Sequence, residues 1–194
     1  MKKIFLSVVL SCSCMVAANA QVSGGLKGGL NLANQDFEAD GFSVSPDGRT
    51  AFHVGAFLNV MLSDNVGLQP EVLFSAQGST SESPSPGIED SERNFNYINI
   101  PVLLRYQVVE VLSLHVGPQI GFLLNAEVDD QDVKDQVKGS DFSLAFGAQI
   151  DLPAGFVGGA RYSLGISDIN DTPDDFELKN NNFQIYIGFK LFGN

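Results

Sequence analysis

The chain has 194 residues, with 23 acidic against 11 basic side chains and a net charge of −12. That length suits one domain, and so acidic a surface repels nucleic acid, whose binders carry basic patches. The only cysteines are Cys12 and Cys14, near the start, so neither a disulfide framework nor a thiol nucleophile is expected beyond them.

Residues 1–20 read as a secretory leader. Lys2 and Lys3 form a charged start, Ile4 to Leu10 a short apolar run, and Ala18-Asn19-Ala20 a small-x-small cleavage site before Gln21. Val9-Leu10-Ser11 before Cys12 fits a lipidation signal poorly, so both thiols are expected to leave with the leader. Residues 21–194 then form one domain. They contain no run of about 18 apolar residues, so no transmembrane helix is expected.

Eight segments alternate with period 2, the signature of strands. The first, Val22–Ala33, sets Leu26, Gly28, Leu30 and Leu32 on one face against Lys27, Gly29 and Asn31. The second, Thr50–Leu62, sets Phe52, Val54, Ala56, Leu58 and Val60 against His53, Gly55, Phe57, Asn59 and Met61. The third, Val66–Gln77, sets Leu68, Val72 and Phe74 against Gln69, Glu71, Leu73 and Ser75. The fourth and fifth form the longest hairpin, within Asn94–Ala126. Ile98, Ile100, Val102, Leu104 and Tyr106 oppose Asn99, Leu103 and Arg105; Leu112, Leu114, Val116, Ile120, Phe122 and Leu124 oppose Ser113, His115, Gly117, Gln119 and Leu123. The sixth, Ser140–Asp151, presents Phe142, Leu144, Phe146 and Ile150. The seventh, Phe156–Ile166, carries Arg161 opposite Ala160 and Tyr162. The eighth, Asn182–Phe192, presents Phe183, Ile185, Ile187, Phe189 and Leu191 opposite Gln184, Tyr186, Gly188 and Lys190.

Short connections follow the second, fourth and sixth segments: Ser63-Asp64-Asn65, a turn around Val109-Glu110, and Leu152-Pro153-Ala154-Gly155. Long ones, Asn34–Arg49, Gly78–Arg93, Glu127–Gly139 and Ser167–Asn181, alternate with them and hold 18 of the 23 acids. All long connections therefore emerge at one end, as the outer loops of membrane barrels do. Lys27, Glu71, Arg105, Asp151, Arg161 and Lys190 all fall opposite the oily face. A lipid-facing charge near the midplane costs about 2–4 kcal/mol, which accounts for the segregation. A soluble lipocalin-like barrel would instead need a charged outer face. The expected fold is an all-β, eight-stranded, antiparallel up-and-down transmembrane β-barrel in the outer membrane, surrounded by lipid and monomeric.

Several stretches resemble the PorT-like family of outer-membrane β-barrels of Bacteroidetes-type bacteria: Gly25-Leu26-Lys27-Gly28-Gly29-Leu30-Asn31-Leu32, Tyr97-Ile98-Asn99-Ile100-Pro101-Val102-Leu103-Leu104-Arg105-Tyr106, Gly117-Pro118, Gly159-Ala160-Arg161-Tyr162, and Phe183-Gln184-Ile185-Tyr186-Ile187-Gly188-Phe189-Lys190. The resemblance implies an eight-stranded outer-membrane barrel and no defined chemistry. The name-giving member is associated with secretion, so other envelope or secretion proteins are candidate partners. One departure is the end, where Gly193 and Asn194 follow Phe192 instead of a terminal aromatic.

Eight strands leave an interior just wide enough for side chains. Inward Phe57, Met61, Leu73, Leu103 and Leu123 are expected to plug it, around a structural polar network of Lys27, Glu71, Arg105, His115, Arg161 and Lys190. The sequence thus favours a closed barrel with a structural or interaction role and acidic outer loops. A small porin-like channel is the alternative, and an outer-membrane enzyme the next. Ser113, His115 and Glu71 offer a serine–histidine–acid set, but only if they converge. Asp129-Asp130-Gln131-Asp132 and Asp168-Ile169-Asn170-Asp171 lack the Gly and closing Glu of a calcium loop, so neither a metal nor another cofactor is expected. Ser79–Ser91 reads as a flexible tip. In the long hairpin, inward positions of both strands are odd-numbered. Partners should therefore sum to an even number near 218–220, with Arg105 opposite Ser113 or His115 and reaching Glu71 on the third strand.

Overall fold

The computed structural model describes residues 21–39, 42–44, 49–81, 91–128, 131–134, 138–167 and 177–193. Eight long strands form the wall: β1 (Val22–Ala39), β3 (Arg49–Met61), β4 (Val66–Ser81), β5 (Ser91–Val109), β6 (Leu112–Val128), β8 (Ser140–Asp151), β9 (Phe156–Gly165) and β10 (Glu177–Phe192). Two short strands, β2 (Phe42–Val44) and β7 (Gln131–Asp132), add to the ends of β1 and β6. Each wall strand pairs antiparallel with its neighbours in chain order, and β10 pairs back with β1. The sheet is a closed, eight-stranded, up-and-down barrel, as the alternation predicts. Closure satisfies every wall strand on both sides and leaves no edge to aggregate.

The facing follows the sequence residue by residue. Leu26, Leu30, Phe52, Val54, Val72, Leu104, Leu114, Phe142, Phe146, Ile185 and Ile187 are exposed on the outside, while the residues between them are buried in the lumen. Outer aromatics pair across strands, Phe156 with Phe189 edge to face at 5.2 Å and Phe146 with Tyr162 at 5.6 Å. Such pairs brace neighbouring strands where lipid cannot. The lumen holds the expected Phe57, Leu73, Leu103 and Leu123, all buried. Met61 is only half-buried, at the short-turn mouth. Toward the long connections, Leu123 packs with Phe95, Tyr97 and Ala126.

The long hairpin has the expected register: Arg105 opposes His115 and Gln107 opposes Ser113, both summing to 220. Its turn is Glu110-Val111, one residue later than expected, because Val109 still pairs with Leu112. The Leu152–Gly155 turn closes with Leu152 N–H donating to the Phe156 carbonyl at 2.8 Å. There Ala154 and Gly155 take φ of 64° and 86°, a left-handed conformation that only glycine adopts without cost.

Strand ends at the long connections differ from expectation. β1 runs on to Ala39 and pairs with β10 as far as Glu38↔Glu177. β4 and β5 stay paired to Ser81↔Ser91. Hydrophobic alternation marks only part of each strand, whereas backbone pairing continues beyond it.

Candidate functional site

The lumen is filled in layers, and the central one is built around Glu71. Period 2 on β4 turns Glu71 inward between Gln69 and Leu73, all three buried. Arg161, inward on β9, donates from Nη1 to Glu71 Oε2 at 2.8 Å and from Nη2 to Oε1 at 2.7 Å. Lys27 Nζ of β1 lies 2.6 Å from Oε2, and Gln69 Nε2 donates to Oε1 at 2.7 Å. One carboxylate thus gathers two cations and an amide. The fork of Arg161 matches a carboxylate geometrically, and charge-assisted bonds of this kind are about twice as strong as neutral ones. The side chains of Lys27, Glu71 and Arg161 are 0–1% exposed.

Aromatic and imidazole groups complete this layer. Lys27 Nζ sits 4.2 Å from the Tyr186 ring centroid, a cation–π contact. Tyr186 donates from its hydroxyl to Gln149 Oε1 at 3.3 Å. Arg161 Nε donates to His115 Nε2 at 3.4 Å, so the proton of the neutral ring is on Nδ1. Two glycines make the room. A Cβ on Gly147 would lie 2.8 Å from His115 Nε2, and one on Gly159 2.6 Å from Tyr186 Cζ.

A second layer faces the short turns. Asp151, at the end of β8, receives Arg105 Nη2, Lys190 Nζ at 3.1 Å and Gln149 Nε2 at 3.4 Å. The expected Arg105–Glu71 contact is therefore not what Arg105 makes. Arg105 pairs with Gly67 on β4, which sets Glu71 four residues farther from the mouth. At that height the carboxylate meets Arg161 and Lys27, while Arg105 is level with Asp151. Arg105 is not simply hydrated at the rim either, being 4% exposed.

The other layers are neutral or carry a single acid. Asn31 donates to Ser75 Oγ at 2.9 Å and to the Ala76 carbonyl at 2.6 Å, and its Oδ1 accepts from His53 Nδ1 at 2.8 Å and Gln184 Nε2 at 3.0 Å. Toward the long connections, Asp141 accepts from Ser167 Oγ at 3.1 Å and Asn180 Nδ2 at 3.3 Å. Besides Glu71, the strand acids Asp141 and Asp151 are inward too. Asp151 is among the charges expected opposite the oily face; Asp141, odd-numbered in the same segment, shares that parity, and the signal suffices to find it.

The residues of the conceivable hydrolase set do not converge. Ser113 donates to the Gln149 carbonyl at 3.3 Å, His115 receives Arg161, and Glu71 is saturated by cations. The acidic runs at 129–130 and 168–171 lie outside the described residues, as does the tip at 82–90. Among the described residues no group of three His, Cys, Asp or Glu side chains could hold a metal.

The fold has solved counterparts. Ail, the attachment invasion locus protein of Yersinia pestis, is 17% identical, with a TM-score of 0.50 over 88% of this chain and 99% of its own. OprG from Pseudomonas aeruginosa is 13% identical, with a TM-score of 0.51 over 88% of this chain and 94% of its own. Neisserial surface protein A is 11% identical, with a TM-score of 0.51 over 88% and 99%. At these identities the likeness is one of fold. Comparison with curated proteins gives no match. Residues 4–190 match the family described as outer membrane protein beta-barrel domain. With the match spanning nearly the whole chain, and an oily wall closed around buried charge, this protein belongs to the outer membrane protein β-barrel family and resides in the outer membrane.

Proposed function

We propose that this protein is a closed outer-membrane barrel with a structural or interaction role, which holds its acidic long connections outside the cell. The supporting observation is the Glu71–Arg161–Lys27 cluster, whose side chains are 0–1% exposed and bridge β4, β9 and β1 across the lumen. An ion moving along the barrel axis would have to break a bidentate ion pair held in a buried layer, at a cost of several kcal/mol. Lys27, Glu71 and Arg161 seal the centre, His115 positions Arg161, and Arg105 with Lys190 tie down the short-turn end. Within the family, the order of the strand motifs favours PorT-like barrels, with residues 1–20 a leader removed on export. Planar-bilayer recordings of the purified protein test the closed lumen. No steady conductance is expected, and sizeable, long-lived channels would favour the small-pore reading instead.

A further inference from the structure

The outer wall carries a furrow of about 620 Å³ that crosses β5, β6, β8, β9 and β10. Its banks are two adjacent rows of cross-strand partners. One row runs from Tyr106 through Leu114 to Ala148 and Ala160. The next row ends in three outward rings, Phe146 paired with Tyr162 and Tyr162 with Phe183. The bare methyls of Ala148 and Ala160 beside those rings leave the depression. His115 and Arg161 border it from the lumen side, where their side chains are buried. The furrow is inclined. Following partners once round the wall from Gln107 leads back to β5 at Tyr97, ten residues nearer the long connections. Every row therefore climbs toward the long connections in chain order, as the stagger of a closed barrel requires. The furrow climbs with its rows, from Tyr106 near the short turns to Phe183.

That inclination decides the occupant. A second barrel in the same membrane is a rigid, upright surface and would cross the furrow at one point. A hydrocarbon chain is narrow and flexible and follows its whole length. The furrow is also continuous with the lipid-covered wall, whose Leu104, Leu114 and Phe146 are exposed. Within lipid no hydrophobic force favours one apolar contact over another, so packing decides, and an unfilled depression forfeits dispersion contacts. Tyr106, at the short-turn end, has the amphipathic ring that settles at headgroup level. We propose that the furrow holds one acyl chain of a phospholipid, its head at the Tyr106 end, as a fixed site distinct from the mobile lipid around the rest of the wall. With the long connections outside the cell, as proposed above, that end lies in the periplasmic leaflet.

The test uses the full chain in detergent, stripped of lipid and titrated with dioleoylphosphatidylethanolamine under native mass spectrometry. One adduct is expected to saturate before others form. Ala148→Leu and Ala160→Leu fill the furrow and should each weaken that adduct at least about tenfold. Ile187→Ala, on the wall outside the furrow and 75% exposed in the parent residue, should leave it unchanged. All three variants keep an apolar residue toward lipid, and heat-modifiable gel mobility verifies that each is folded. A second measurement uses nanodiscs of the same phospholipid, alike in both leaflets and so indifferent to the barrel's orientation. There the carbon-13-labelled methyls of Ala148 and Ala160 should show cross-relaxation with the methylene protons of a lipid chain. A graded series of adducts that Ala148→Leu and Ala160→Leu leave unchanged overturns the proposal. So does a two-chain mass that these variants abolish, or methyl contacts to a second copy in place of lipid.

Discussion

Replacing Glu71 by Gln leaves Arg161 and Lys27 facing each other in a layer where no other described carboxylate reaches them. Breaking a buried pair from one side costs about 3–5 kcal/mol, so Glu71→Gln is expected to lower barrel stability by that amount in urea titrations of the refolded protein. The triple replacement of Glu71, Arg161 and Lys27 by Leu or Met of similar volume should recover most of it, since no charge is then stranded. A Glu71→Gln protein as stable as the parent would show that water enters this layer. Ala154 gives a smaller effect of opposite sign. Its φ of 64° is strained for any side chain, so Ala154→Gly should stabilise the turn by about 0.5–1 kcal/mol, again read in urea. At this scale the sequence was half legible. Parity told that Glu71, Arg161 and Lys27 share an interior, but not that they meet. Glu71 and Arg161 are 90 residues apart on strands that do not pair, and their common height depends on the accumulated stagger of the intervening strands. Adjacency of the third and fourth segments suggests an Arg105–Glu71 contact, but the stagger between them puts Gly67 at the side of Arg105.

Strands were the most readable level, because one periodicity encodes both the conformation and the face. Their ends were not. Asn34, Gln35, Asp36 and Glu38 read as loop, having no oily partner face, yet the backbone of Asn34–Phe37 pairs with that of Leu178–Asn181. Pairing is a property of two backbones and leaves no trace in side-chain polarity once the belt is passed. The amides of Asn34–Phe37 are therefore expected to exchange with deuterium at least about tenfold more slowly than those of an unpaired chain, as hydrogen-bonded ladders do. Exchange at the unprotected rate would return this segment to the loop that the sequence suggested.

For the whole molecule, the exposed oily wall dictates handling. Extraction only with detergent and heat-modifiable gel mobility are expected, and recovery as a soluble periplasmic monomer would contradict the barrel's place in the membrane. Orientation is a separate expectation. Epitope tags within 82–90 should be reached by antibody on intact cells, and tags at Asp64 should not; the opposite pattern would turn the barrel over. Fold and location were legible because lipid imposes its constraint on every strand at once, so eight weak signals add. A partner imposes no such repetition, and the acidic connections that would meet one carry composition without period.

The seam between β1 and β10 has a consequence for biogenesis. Fifteen residue pairs, from Gly24↔Phe192 to Glu38↔Glu177, join the first strand to the last. Among the described residues every other pairing of wall strands joins neighbours along the chain and can form as a hairpin, but this one spans nearly the whole polypeptide. Loop-closure entropy makes so distant a pairing slow. Until β10 arrives, β1 keeps an open edge of amides and carbonyls that hydrocarbon cannot satisfy. A chain cut short by even one strand would thus be unable to shut, and would display two raw borders rather than a slightly smaller barrel. Completeness is checked by geometry: the last strand to be made is the one that lets the first come to rest.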